Sequence, residues 1–260
     1  MSTPSPSDAT AHRTALITGA TSGIGAEFAS QVAAQGRHLI LVARDAERLA
    51  AKCEEVESRY SIHAEGLVAD LLTEDGQQAV ESRLLSHVDP VELLVNSAGY
   101  GLGESFDKTT WDQERDHWRI HTQVPLRLCH AALSTMLQRG GGRIINVASA
   151  AAFTPRGTYS AAKLAMVNFS EWANLHYASS GIAVTALCPG LTRTEFHERS
   201  GQDTSKFPRI GWLKAEKVVR QALSDSAAGK SRSTPSLRYK TARVVANVLP
   251  KSTVERVVDR

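Results

Sequence analysis

Cysteine is scarce in this chain. Only Cys53, Cys129 and Cys188 occur in 260 residues, odd in number, far apart and without a CxxC pair. That excludes a disulfide framework and zinc-ligand spacing, and it fits buried thiols in a reducing compartment with no metal site. No apolar run approaches the ~20 residues that a membrane span needs. An excess of one charge is missing too: 30 Lys and Arg against 27 Asp and Glu leave a net charge of +3, too little to argue for nucleic acid. The N-terminal stretch lacks both a basic n-region and an apolar h-region. Residues 1–12, rich in Ser, Thr and Pro, read as a disordered lead-in rather than a secretion signal. Internal repeats and interior low-complexity linkers are absent. A soluble, cytoplasmic protein is the expectation.

What is present is a regular alternation. The 42% hydrophobic content over 260 residues suffices for one sizeable core, not comfortably for two. Short apolar runs lie at 14–18, 38–43, 63–69, 92–96, 143–148 and 182–187, and helical patterns fill the gaps. Strands that read as nearly continuous apolar runs between helices predict a parallel sheet covered on both faces. The expectation is an α/β, doubly wound parallel β-sheet in a single domain over residues 13–238. The stretch 110–139 reads as one amphipathic helix that starts or kinks at Pro125.

The residues that organise the chain are Thr18, Gly19, Ala20, Thr21, Ser22, Gly23, Ile24 and Gly25, between an apolar run and a helical pattern. Strand, glycine turn and helix in that order are what a dinucleotide-binding turn requires. Gly19 allows the tight turn, Gly23 lets backbone approach a pyrophosphate, and Gly25 lets the helix pack on the sheet. The helix N-terminus then turns unpaired N–H groups towards the phosphates. Glycines also mark ordinary turns, so the trio alone is weak evidence. At the end of the second strand stand Ala43 and Arg44, where an NAD-binding fold carries an acid for the ribose 2′-hydroxyl. A guanidinium suits a 2′-phosphate, so NADP(H) is expected over NAD(H). Asp45, the contrary sign, precedes a helical pattern and reads as an N-cap. Asp70 ends the third strand and can accept from an adenine amino group or cap the next helix. Asn96, Ser97, Ala98 and Gly99 end the fourth, small enough to let backbone approach a cofactor or to form an ordinary loop.

The fifth run ends at Ser149. Tyr159 and Lys163, four apart on a helical pattern, share one face with Cβ atoms roughly 5–6 Å apart. A tyrosine with an unperturbed pKa of about 10 needs roughly 4 kcal/mol to reach neutrality. One ammonium at about 4 Å supplies that order of energy at an effective dielectric near 20. Lys163 therefore suffices in principle to make Tyr159 a general acid/base, and Ser149 can bond the same substrate oxygen.

Taken together, these residues resemble the short-chain dehydrogenase/reductase family, single-domain Rossmann oxidoreductases. The resemblance runs over about residues 13–223 and rests on the glycine turn, Asn96 to Gly99, Ser149, Tyr159 with Lys163, and Pro189 and Gly190 with Thr194. It implies that Tyr159 moves a proton to or from the substrate oxygen while Ser149 holds it. Lys163 would also bind the nicotinamide ribose. Asp70 and Leu71 would meet the adenine, Asn96, Ala98 and Gly99 would line the cofactor, and the 191–194 loop with Thr192 would meet the carboxamide. A seven-stranded sheet and homo-oligomers are implied as well. Three departures stand out. The family's second asparagine is Ser97, and the interval from Ser149 to Tyr159 is a few residues short. The helix asparagine that completes the catalytic tetrad, and holds a water in a proton relay to the lysine, falls on His121. A histidine can relay protons with a pKa near 6.5; Gln123, or a plain core histidine, are the other readings.

The polar, irregular stretch at about 191–212 reads as a substrate lid, residues 214–227 as a helix, and 231–237 as an unusually polar strand. Residues 239–260 mix Val and Leu with Lys and Arg, a basic amphipathic tail for a peripheral membrane contact, a subunit interface or simply solvent. Two functions follow. One is an NADPH-dependent carbonyl reductase or alcohol dehydrogenase acting on a small carbonyl or alcohol, with lipid-like β-keto or steroid-type ketones suggested only by overall resemblance and by the basic tail. The other, prompted by His121, is a weakly catalytic cofactor-binding protein serving as a redox sensor or interaction protein.

Overall fold

The computed structural model describes residues 13–195, 212–236 and Tyr239. The elements run β1 (Thr14–Thr18), α1 (Gly23–Ala33), β2 (His38–Ala43), α2 (Ala46–Tyr60), β3 (Ala64–Val68), α3 (Glu74–Leu85) and β4 (Val91–Asn96). They continue with α4 (Trp111–Trp118), a π-helical segment (Arg119–Gln123), α5 (Val124–Arg139), β5 (Gly142–Val147), a 3-10 turn (Ala150–Phe153) and α6 (Gly157–Tyr177). Then come β6 (Ile182–Leu187), β7 (Thr192–Arg193), β8 (Leu213–Lys214), α7 (Ala215–Ala227) and β9 (Arg232–Ser233).

Seven strands form one sheet in the order β3-β2-β1-β4-β5-β6-β9, every pair parallel. β1 lies inside and is buried along its whole length. Side chains alternate across the sheet as the pleat demands. Ala15 and Ile17 face Phe28, Val32, Leu49 and Val219, from α1, α2 and α7. Leu16 faces the opposite core with Val80, Leu84, Leu128 and Ala132, from α3 and α5. The order reverses at β1 between β2 and β4, and there the carboxyl ends of the strands open the crevice that such folds use for ligands.

Two expectations change in detail. The 110–139 stretch does break beside Pro125, where α5 starts, but into three pieces, with a π-helical segment between α4 and α5. Pro125 has no N–H, so the His121 carbonyl loses the donor an α-helix would give it. The chain widens there, and the Val124 N–H donates to Arg119 O, five residues back. The Thr122 hydroxyl donates to the Trp118 carbonyl over the same turn. The expected strand at 231–237 shrinks to β9, whose polar residues are bonded rather than buried bare. Ser233 Oγ and Lys230 Nζ donate to the Asp225 carboxylate at 2.8 and 2.6 Å, and Arg232 pairs with Glu171. Three other expectations fall outside the described residues: the 1–12 lead-in, most of the 191–212 lid (196–211) and most of the tail (240–260).

Candidate active site

The glycine turn closes on itself and on β4. Gly19 sits at φ +67°, and a Cβ on it would lie 2.9 Å from Ala98 Cα. A Cβ on Gly25 would overlap the Gly19 carbonyl. Thr18 clamps the two loops together: its Oγ1 accepts from the Ser97 and Ala98 N–H groups at 3.0 and 3.1 Å. The product is a turn of bare backbone at the N-terminus of α1, the arrangement that receives a phosphate. Ser22 is the N-cap residue of α1, and Ile24 packs against the core beneath. Thr194 stands over the turn, with its Cβ 3.2 Å from where a Cβ on Gly23 would be.

Arg44 is exposed at the end of β2, and Asp45 is the N-cap of α2, its Oδ1 accepting the Arg48 N–H at 3.0 Å. Asp70 does not cap α3. Thr73 does, accepting from the Gly76 N–H at 3.1 Å, while Asp70 Oδ1 takes the Leu72 N–H at 3.0 Å. Leu71 is 4% exposed, with its side chain in the core and its carbonyl taken by Gln77 Nε2 at 2.9 Å. Pro189 O accepts from the Ala150 N–H at 2.8 Å, which ties the loop after β6 to the turn after Ser149. Thr192 Oγ1 donates to Gly190 O at 2.9 Å. The place of a side chain on Gly190 is filled by the ring of Tyr239, whose hydroxyl oxygen accepts the Leu191 N–H at 3.0 Å.

Ser149, Tyr159, Lys163 and His121 converge. Ser149 Oγ accepts the Ala151 N–H at 3.1 Å and is hydrogen-bonded to the Tyr159 hydroxyl. Lys163, only 6% exposed, donates from Nζ to Val147 O at 2.7 Å. Its ammonium is 5.8 Å from the Tyr159 ring centre. The His121 and Tyr159 rings meet edge-on at 5.5 Å. His121 Nε2 lies 2.7 Å from Tyr100 O; a carbonyl only accepts, so Nε2 carries the proton and Nδ1 is the bare acceptor. A cavity of about 10 Å³ lies among Lys163, His121, Asn96, Asn146 and Thr18, room for one water. The buried Asn96 Oδ1 and His121 Nδ1 lack hydrogen-bond partners among the described residues.

The electrostatics depart from the sequence argument. Burial pushes Tyr159 up to about 12, against the lowering effect of Ser149. Burial pushes Lys163 down to about 7. Burial governs both groups, and the group poised near neutrality is the lysine. His121 also departs from its expected value near 6.5. Burial, followed by the charge of Lys163, drives it well below that, so the ring is neutral. Gln123 is exposed at the end of the π segment, away from the cavity. The space beside Gly99 belongs to His121: a Cβ there would overlap the imidazole.

Several neighbours were missed in the sequence. Asn146 binds Asn96 Nδ2 at 2.8 Å and donates to Ser170 Oγ at 3.0 Å. His117 lies 4.6 Å from the His121 ring and 5.8 Å from that of Tyr159. The buried Glu114 carboxylate accepts from Thr158, beside Tyr159, at 2.6 Å and from Thr109 at 2.7 Å. The spacing of Glu114, His117 and His121 along one helical face was a usable signal; nothing local marked Asn146.

Known proteins resemble this chain in sequence and fold. The short chain dehydrogenase family model matches residues 13–205. A short-chain dehydrogenase from Sphingobium yanoikuyae, solved in complex with NADPH, is 32% identical, with a TM-score of 0.83 over 90% of this chain and 93% of that one. The bulky-bulky ketone specific alcohol dehydrogenase from Comamonas testosteroni is 27% identical, with a TM-score of 0.79 over 93% of this chain and 96% of that one. A putative ketoacyl reductase of monensin polyketide synthesis from Streptomyces virginiae is 33% identical over 245 residues, 91% of this chain and 88% of its own. With its glycine turn, parallel sheet and Ser149, Tyr159 and Lys163 in one crevice, the chain belongs to the short-chain dehydrogenase/reductase family of Rossmann oxidoreductases.

Proposed function

We propose that this protein is an NADP(H)-dependent oxidoreductase that interconverts a carbonyl compound and its secondary alcohol. The observation that carries the reading is the meeting of Ser149, Tyr159 and Lys163 beside the glycine turn. The bare-backbone turn suits the cofactor's pyrophosphate, Arg44 its 2′-phosphate, and Asp70 its adenine, with Asn96 and Ala98 along its path and the 190–194 loop at the nicotinamide. The NADPH complex of the Sphingobium relative and the ketone specificity of the Comamonas enzyme support this choice.

Bound nicotinamide supplies or takes the hydride. The remaining work is done by the chain. In the reducing direction the Tyr159 hydroxyl gives its proton to the substrate oxygen, which Ser149 Oγ also bonds. Lys163, with its pKa near neutrality, restores that proton through the single-water cavity it shares with His121 and Asn96. A neutral His121 serves as acceptor at Nδ1, where the family's asparagine would hold the water.

The test is a pair of fluorescence titrations with NADPH and NADH, followed by a ketone panel read as NADPH oxidation. Tyr159→Phe should keep NADPH affinity within about twofold while turnover falls by at least 10²-fold, the scale of general acid–base catalysis. Turnover that survives the substitution removes Tyr159 from this role. NADPH binding without turnover of any ketone brings forward the sensor or interaction reading, and binding of neither nucleotide overturns both.

A further inference from the structure

Arg48 lies in the first turn of α2, four residues past Arg44, which stands just before the Asp45 cap. Its backbone is fixed by the Asp45 cap, and its guanidinium crosses to the glycine turn. Nη2 donates to Thr21 O at 3.2 Å and to both Glu195 oxygens at 3.3 Å. Glu195 directly follows Thr194, the residue that stands over Gly23. One guanidinium thus ties together the helix after Arg44, the phosphate turn and the loop after β7. Both partners are accessible, with side chains 44% and 47% exposed.

We propose that Arg48 and Glu195 form a latch across the entrance of the cofactor cleft, and that the 2′-phosphate of NADPH takes Arg48 from Glu195. The inference rests on the NADP(H) reading and adds a residue and a competitor to it. Ion pairs this exposed are weak. A phosphate carries up to two charges and accepts a guanidinium bidentately, so it displaces a carboxylate. The 2′-hydroxyl of NADH carries no charge and leaves the pair closed. Attraction of the phosphate by Arg44 and Arg48 then supplies the selectivity, and Glu195 tempers it, because displacing that internal anion costs NADPH affinity and leaves NADH untouched.

The test measures NADPH and NADH affinity by nicotinamide fluorescence on the full chain. The variants are Arg48→Ala, Arg48→Lys, Glu195→Gln, Arg44→Ala and Arg48→Ala/Glu195→Gln. Losing a charge-assisted hydrogen bond should weaken NADPH binding roughly tenfold in Arg48→Ala, leaving NADH within about twofold. Arg48→Lys, which keeps charge without the fork, should fall between. Glu195→Gln should tighten NADPH about threefold, and this gain should vanish in the double variant. Equal weakening of both nucleotides by Arg48→Ala would make Arg48 a mere prop for the Thr21 turn and overturn the latch. So would Glu195→Gln loosening NADPH. A wild type that prefers NADH overturns the NADP(H) reading and the latch together. An Arg44→Ala variant that keeps its nucleotide preference while Arg48→Ala loses it removes only Arg44's part and supports the latch.

Discussion

Burying the Lys163 ammonium costs the protein stability, and the cost depends on pH. Its native pKa of about 7 lies below the ordinary 10.5, so between those values the unfolded chain binds more protons than the native one. Stability therefore rises with pH across that window, and the full cost, about 5 kcal/mol as an upper scale, applies below pH 7. Lys163→Met keeps the volume and loses the charge. Its melting temperature relative to wild type should be higher at pH 6 than at pH 10; a difference that stays constant over that range would contradict the buried charge. A second residue-level coupling joins Gly99 and His121. A methyl group on Gly99 would overlap the imidazole, so Gly99→Ala should cost about 1–3 kcal/mol by overpacking. Adding His121→Asn, a smaller side chain, should recover most of that in denaturant melts. A double variant no better than the single one would put the strain elsewhere. At this scale the sequence showed which residues meet, because Tyr159 and Lys163 share one helix and Ser149 ends a strand. It did not show the order of their pKa values, since desolvation depends on the walls around a group and not on spacing.

Among the elements, the passage from α4 through the π segment to α5 matters most for the site. Pro125 denies the His121 carbonyl its helical donor, and the widened turn delivers the His121 ring to the cavity beside Lys163. Pro125→Ala restores an N–H at that place. The variant should be more stable by about 1 kcal/mol, a fraction of what proline costs inside a helix, and should reduce ketones more slowly because the turn tightens away from Lys163. Full turnover in a stabilised variant would separate the widened turn from catalysis. Pro125 was visible in the sequence as a start or a kink, but a π turn has no compositional mark of its own. Asp45 was legible as a cap because its partner is three residues away. Asp70 was open between two roles because Thr73, a better-placed cap, competes for the same helix.

For the whole molecule, apolar runs located six strands closely, since all but the edge strand β3 are buried over at least half their length. The seventh, β9, was faint because its polar residues bond to Asp225 and Glu171 rather than to an apolar layer. The long-range ties were invisible: Arg48 to Glu195, and Tyr239 to the loop at Gly190, join residues far apart in sequence. Tyr239→Phe removes the acceptor for the Leu191 N–H, worth about 1 kcal/mol. If that loop meets the nicotinamide end, shared by both nucleotides, NADPH and NADH should loosen alike, by roughly fivefold. Loss of NADPH affinity alone would place Tyr239 at the other end of the cofactor.

The same loop hangs on late parts of the polypeptide. The Cys188 N–H, one residue before Pro189, is held by Ser233 O at 2.8 Å, and Tyr239 covers Gly190. A chain still on the ribosome therefore displays the glycine turn and the segment with Ser149, Tyr159 and Lys163 long before the residues that hold the 189–191 loop exist. On the proposed function, nucleotide binding would stabilise the finished protein by mass action, but it would arrive too late to guide the synthesis of this loop's supports.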